Sequence, residues 1–139
     1  MSVTVLLEGF ELDDAMAMYC LIERGLLLSR VAAFFTLQFG DAAQILLSKI
    51  LGMSPSALRR ALKGSAMHLA PAQGATVIRI AQALKRASIV LGRPGLGVTW
   101  LTTPAFGLSN NKPIDMLMSP IGSESVLEYL GQMEYGVYR

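Results

Sequence analysis

The sequence predicts an all-α fold, on three observations. From Asp13 onward, apolar residues recur at three- and four-residue spacing, the period of a helix face rather than the alternation of a strand. The periodic stretches open on Asp, Ser or Pro and close on Gly25, Gly40, Gly52, Gly64 or Gly92, the residues that start and stop helices. Connections between them are short, and only the opening VTVLL has a strand-like composition; it is left unassigned.

Taken in order, Asp13 or Asp14 caps AMAMYCLIER, which Gly25 stops, and Ser29 caps RVAAFFTLQF, which Gly40 stops. DAAQILLSKIL runs to Gly52. The next helix, PSALRRALK, has Ser54 as its cap and Pro55 at the first helical position, where the missing N–H leaves nothing unpaired. After a loop, Pro71 opens the long AQGATVIRIAQALKRASIVL, which ends at Gly92. GRPGLG is the clearest break and divides the chain into 1–92 and 93–139. Beyond it the sequence predicts a short helix around Trp100, the loop TPAFGLSNNKP, a helical turn at PIDMLM and a last helix from Glu124 to Met133.

The chain has 139 residues, 53% of them hydrophobic and 16% charged, with mean hydropathy +0.47. Charged residues make up about a quarter of an average globular protein, and a domain of this size has little interior in which to hide an apolar excess. The excess predicts an interface with a second copy of the chain or with a partner, and a homodimer is the expected oligomer. A membrane span is not expected, because GLLLSRVAAFFTLQF is interrupted by Arg30 and Gln38 and falls short of the ~20 residues a span needs. The first residues lack a basic n-region and acids follow at once, which argues against a secretory signal. Cys20 is the single cysteine, so the expectation is a cytoplasmic protein without a disulfide, with Cys20 serving as a small buried hydrophobe.

Charge is divided along the chain. Residues 1–41 carry a net −4 and residues 94–139 a net −2, while residues 42–93 hold eight cations and no acid. Such a run predicts a surface for a polyanion. Within it, QILLSKILGMSPSALRRALK reads as a helix-turn-helix. Ser48 is the small residue at the crossing, and Gly52 supplies the turn. Leu47, Leu51, Met53, Leu58 and Ala61 fall at core-facing offsets. Ser54, Ser56, Arg59, Arg60 and Lys63 are then the candidate DNA contacts, since arginine pairs bidentately with guanine and serine or lysine holds phosphate. A recognition helix this short calls for a dimer on two half-sites of operator DNA.

Catalysis is not expected. With one histidine, His68, and one cysteine, the chain offers neither a His-based metal cluster nor a structural zinc site. GRPGLG follows a helical run and lacks the spacing of a phosphate-binding loop. The paired acids Asp13–Asp14 and Glu124/Glu128 are read as capping groups and a solvated face. No catalytic residue, metal or cofactor is assigned.

The last third, WLTTPAFGLSNNKPIDMLMSPIGSESVLEYLGQMEYGVY, resembles the toxin-binding domain of the Xre/MbcA/ParS antitoxin family. It keeps that pattern at Trp100, Leu101, Pro104, Leu108, Pro113, Asp115, Leu117, Gly122, Val126, Leu130, Glu134, Tyr135, Gly136 and Tyr138. It departs at Ala105 for Asn, Gly107 for Ala, Ser109 and Asn110 for a Gly-Gly pair, and Lys112 for Thr. The likeness is strong over 90–139 and looser over 25–90, where the family has an Xre-like helix-turn-helix. The resemblance implies an all-α antitoxin that pairs with a RES-type toxin, an NAD-acting protein similar to ADP-ribosylating enzymes, and whose complex represses its own promoter. It also implies that the terminal segment lies near the toxin's active-site entrance. The toxin-binding residues expected on this basis are Leu108, Asn110, Lys112, Glu134, Tyr135, Val137, Tyr138 and Arg139, with the tyrosines as anchors of large area and few torsions. Trp100 is expected in the core of its own lobe.

Overall fold

The computed structural model describes residues 6–64 and 66–136. Among them there is no strand, and the fold is all-α, as expected. The helices are α1 (Ala15–Arg24), α2 (Leu28–Phe39), α3 (Ala43–Leu51), α4 (Pro55–Gly64), α5 (Pro71–Leu91), α6 (Pro94–Leu101), α7 (Pro113–Met116) and α8 (Pro120–Glu134). Short 3-10 turns lie at Gly40–Ala42 and Phe106–Leu108. The chain forms two compact units, Met1–Ile78 and Arg79–Arg139, so the division falls inside α5. The break at Gly92 and Arg93 lies instead between two helices of the second unit.

In the first unit the predicted caps mostly hold. Asp14 accepts the Ala17 N–H at 3.1 Å, and Gly25 and Gly40 close α1 and α2 at positive φ. The start of α2 is a correction: Leu27, not Ser29, is its N-cap, and no side chain bonds there. Tertiary pairing fixes that end instead. Leu28 N–H donates to the Met67 carbonyl and Leu69 N–H to the Leu26 carbonyl, both at 2.8 Å, and the Val31 N–H, which a Ser29 cap would have bonded, donates to the Leu27 carbonyl at 3.1 Å. Gln73, in the first turn of α5, accepts the Ala70 N–H at 2.8 Å and donates to the Leu51 carbonyl at 3.4 Å. One side chain thereby ties the start of α5 to the end of α3.

The core of this unit is built on α2, whose Phe34, Phe35 and Phe39 form a cluster with ring centroids 6.0 and 5.5 Å apart. Leu21, Leu47, Leu58 and Val77 are buried in the same unit. By length and composition the run Leu28–Leu51 could cross a membrane. Gly40, at φ 57, and the 3-10 turn after it interrupt the run, and its Val31, Phe35 and Leu47 are among the most buried residues. It reads as a pair of core helices. Cys20 is a second correction, because it is exposed. Helix α1 buries Met18 and Leu21, and at 100° per residue Cys20 turns away from that face with Met16 and Tyr19.

The second unit packs the latter part of α5 with α6, α7 and α8 around Leu84, Leu101, Leu117, Val126 and Leu130. Gly97 lets α6 approach α5 closely: a Cβ there would meet the Ser88 hydroxyl, with the Leu84 carbonyl at 3.2 Å. The last helix starts at Pro120, not Glu124. Ser119 caps it by accepting the Gly122 N–H at 3.0 Å, the same Ser-Pro start as Ser54–Pro55.

Candidate partner-binding surfaces

Two surfaces emerge, one in each unit. The first is α4. Helix α3 ends on Gly52 in the left-handed conformation, φ 65 and ψ 31, with its N–H donated to the Ser48 carbonyl. Three residues later α4 begins, and the Ser54 hydroxyl accepts the Ala57 N–H at 3.1 Å. Leu47, Leu51 and Leu58 are buried as the pattern requires, and Met53 and Ala61 are half-buried. Ser48 is small enough for its place and its hydroxyl is buried without a hydrogen-bond partner. Placing hydroxyl rather than methyl there sacrifices stability, since a buried unpaired polar atom is unfavourable.

With Leu58 inward, Ser56, Arg59, Arg60 and Lys63 are exposed along one side of α4, at the i, i+3, i+4, i+7 spacing of a single helix face. Arg59 donates to the Ser56 hydroxyl at 3.2 Å. Arg60 and Lys63 have no acidic partner among the described residues. Ser54 is engaged as a cap. The other cations of the basic run do not all share this role. Arg79 donates to the Leu117 carbonyl at 3.2 Å, and burial lowers the pKa of its guanidinium. Arg86 lies 3.8 Å from Glu134.

The second surface belongs to the second unit and centres on the loop 105–111. The loop closes on itself. Ala105 N–H donates to the Asn111 carbonyl at 3.1 Å, while the Leu108 and Asn110 N–H groups both donate to the Ala105 carbonyl, at 3.0 and 2.9 Å. The Asn111 side chain donates to the Leu108 carbonyl at 3.0 Å. Ser109 and Asn110, the two departures from Gly-Gly, both adopt left-handed backbone, φ 57 and 61. The loop thus keeps a conformation that glycine would adopt freely, and it does so with side chains. Gly107 is pressed against the ring of Tyr129, which stacks at 5.9 Å on Trp100. An Ala in its place would drive a Cβ into that ring.

The expected toxin-binding residues divide by position. Leu108 is buried at 7% exposure and contributes to the floor of a cleft of about 170 Å³, lined also by Gly107, Ser125, Glu128, Tyr129 and Gln132. Asn110 and Lys112 are exposed. Glu134 is exposed and faces Arg86, a surface pair of small energy. Tyr135 is 82% exposed and Gly136 turns the backbone at φ 72. Val137, Tyr138 and Arg139 lie outside the described residues. The residue that sequence reasoning missed is Phe106, exposed at 90%. Periodicity does not signal it, because it stands in a 3-10 turn where no apolar face is defined.

No group of His, Cys, Asp and Glu suited to a metal ion occurs among the described residues. Residues 86–136 match the family model of the antitoxin Xre/MbcA/ParS C-terminal toxin-binding domain. The chain is also similar to Antitoxin Xre of Yersinia enterocolitica serotype O:8 / biotype 1B (strain NCTC 13174 / 8081), 34% identical over 47 residues, which are 34% of this chain and 32% of that protein. The similarity therefore spans about a third of the relative's length. Both likenesses are to antitoxins, and each covers little more than a third of this chain.

Proposed function

We propose that the chain is an antitoxin whose second unit binds and neutralises a RES-type, NAD-acting toxin similar to ADP-ribosyltransferases, and whose α4 binds operator DNA to repress its own operon. The observation that carries this reading is the match of residues 86–136 to a toxin-binding domain. The closed loop 105–111 and the exposed Tyr135 of the same unit support it. The chain acts by covering a partner rather than by chemistry of its own, without a cofactor. Binding falls to the loop residues Asn110 and Lys112 above Leu108, and to the terminal segment from Glu134 through Tyr135, Val137, Tyr138 and Arg139.

The DNA arm of the proposal is supported by the cationic face of α4, with Ser54 and Ser56 at its start and Arg59, Arg60 and Lys63 along it. A homodimer would supply two such helices. Exposed Met16 and Tyr19 on α1 are apolar surface available to a second copy. The location is the cytoplasm, where both partners would be found. The α4 face also favours a second reading, a stand-alone helix-turn-helix regulator without a toxin.

Co-expression with a RES-domain toxin separates the two. The full chain should rescue growth, as should the chain with Arg59 and Arg60 changed to Ala, while deletion of residues 135–139 should weaken rescue and lower toxin affinity about tenfold or more, since an aromatic anchor commonly carries ~2 kcal/mol. The Arg59/Arg60 variant should instead lose promoter DNA in a mobility-shift titration, with the salt dependence flattened by roughly two counterions. A full chain that rescues no RES toxin but binds its promoter would establish the second reading.

A further inference from the structure

We propose that Phe106 is the apolar anchor by which the second unit enters a recess on the toxin, and that the loop 105–111 fixes the backbone from which the ring projects. This rests on the toxin-binding reading above. At 90% exposure Phe106 is the most exposed large apolar side chain among the described residues, so it adds almost nothing to the core of its own unit. A phenylalanine ring offers 150–250 Å² for burial. Its exposure in the free chain leaves that driving force for a partner.

The backbone beneath the ring is fixed. The hydrogen bonds from Ala105 to Asn111, from Leu108 and Asn110 to Ala105, and from the Asn111 side chain to Leu108 close the loop on both sides of residue 106. Leu108 plugs it into the unit from below, and Gly107 seats it on Tyr129. Ser109 and Asn110 sit in left-handed backbone that side chains disfavour. Such strain persists only where the surroundings over-determine it, and it gathers at binding sites. On a cross-braced loop, docking costs the ring's own torsions but little backbone freedom, which strengthens binding without adding contacts.

The polar groups beside it define the partner's chemistry. Gly107 and Leu108, next in the chain, line the cleft that also presents Ser125, Glu128 and Gln132. An apolar centre with a polar rim is the anatomy of a protein interface. The surface that fits it is an apolar recess on a protein, flanked by hydrogen-bond donors that meet the Glu128 carboxylate.

The test is calorimetric titration of a RES-domain toxin with the full chain, with Phe106→Ala and Phe106→Leu, and with the deletion of residues 135–139, alongside a melting curve and light scattering for each. Phe106→Ala should weaken toxin binding about 30-fold and Phe106→Leu only a few-fold, with melting temperature and mass unchanged. Equal affinity of Phe106→Ala and the unaltered chain overturns the proposal, as does a lowered melting temperature, which would place the ring in the fold. A changed mass with unchanged toxin affinity assigns the ring to self-association and also overturns it. If the tail deletion weakens binding while Phe106→Ala does not, the toxin-binding reading stands and the anchor falls. If the unaltered chain binds no RES toxin, both fall.

Discussion

The turn at Gly52 and the loop at Ser109–Asn110 both use left-handed backbone, and they reach it by opposite means. Gly52 has φ 65 and open space around the position a Cβ would take. It joins two helices with the one residue for which that conformation is unstrained. Ser109 and Asn110 take φ 57 and 61 with side chains present, each disfavoured by roughly 1–2 kcal/mol in a serine-like residue and less in asparagine. At the first site, backbone geometry and residue type agree, and the cations of the proposed DNA face follow. At the second they disagree, and the surrounding hydrogen bonds hold the loop against its own preference. Local disagreement of this kind is expected at functional or strained sites.

The largest test of this contrast is at Gly107. Replacing it with alanine brings a Cβ against the far edge of the half-buried Tyr129 ring, which must turn aside and so disturb its packing on Trp100. We expect a loss of about 2 kcal/mol, as overpacking commonly gives, and a change in the near-ultraviolet circular dichroism of Trp100. The family pattern has alanine at this position, so an unchanged melting curve would show that the loop is seated in some other way.

Next in size is Gly52→Ala. No neighbour would be struck, so the cost is backbone strain less the entropy lost from the unfolded glycine, a net destabilisation of about 1 kcal/mol. Urea denaturation should show a lower midpoint with an unchanged slope. A neutral result would mean that the turn relaxes without strain and that the two sites are alike.

The smallest effect has the opposite sign. Ser109→Gly should stabilise the chain by about 0.5 kcal/mol, the strain relieved exceeding the backbone entropy added. Asn110→Gly should give less, because asparagine tolerates this conformation. Thermal melts of the two single variants measure both. Destabilisation by Ser109→Gly would show that the serine side chain earns its position through contacts.

Much of the first unit was legible because its signals are local. Asp14, Gly25, Gly40, Gly52 and the Ser54–Pro55 start act on the backbone within a turn of themselves. The start of α2 was not legible, since Leu28 and Leu26 bond to Met67 and Leu69 some forty residues away. The beginning of α8 was legible in the sequence, since Ser119–Pro120 is the same signal as Ser54–Pro55. Cys20 defeated a rule of average burial, which says nothing of which helix face a residue occupies. The cations of α4 could be read from charge alone, but the engagement of Arg79 with Leu117 and the closeness of Arg86 to Glu134 could not. Phe106 was hidden for a related reason: apolar residues are expected inside, and only the loop's closure turns this one out.

The division of the chain within α5 bears on how such proteins exchange parts. A recombination event that moved only the matched segment, residues 86–136, would leave behind Ile80, Ala81, Ala83 and Leu84, all buried, together with Arg79 and its bond to Leu117. The recipient would have to supply an apolar helix in the same register, since a shift of one residue rotates every side chain by 100°. Crossovers that respect the unit's edge at Ile78 and Arg79 must splice helix to helix without insertion. Natural shuffling of segments like this one should therefore preserve the phase of the joining helix more strictly than the identity of its residues.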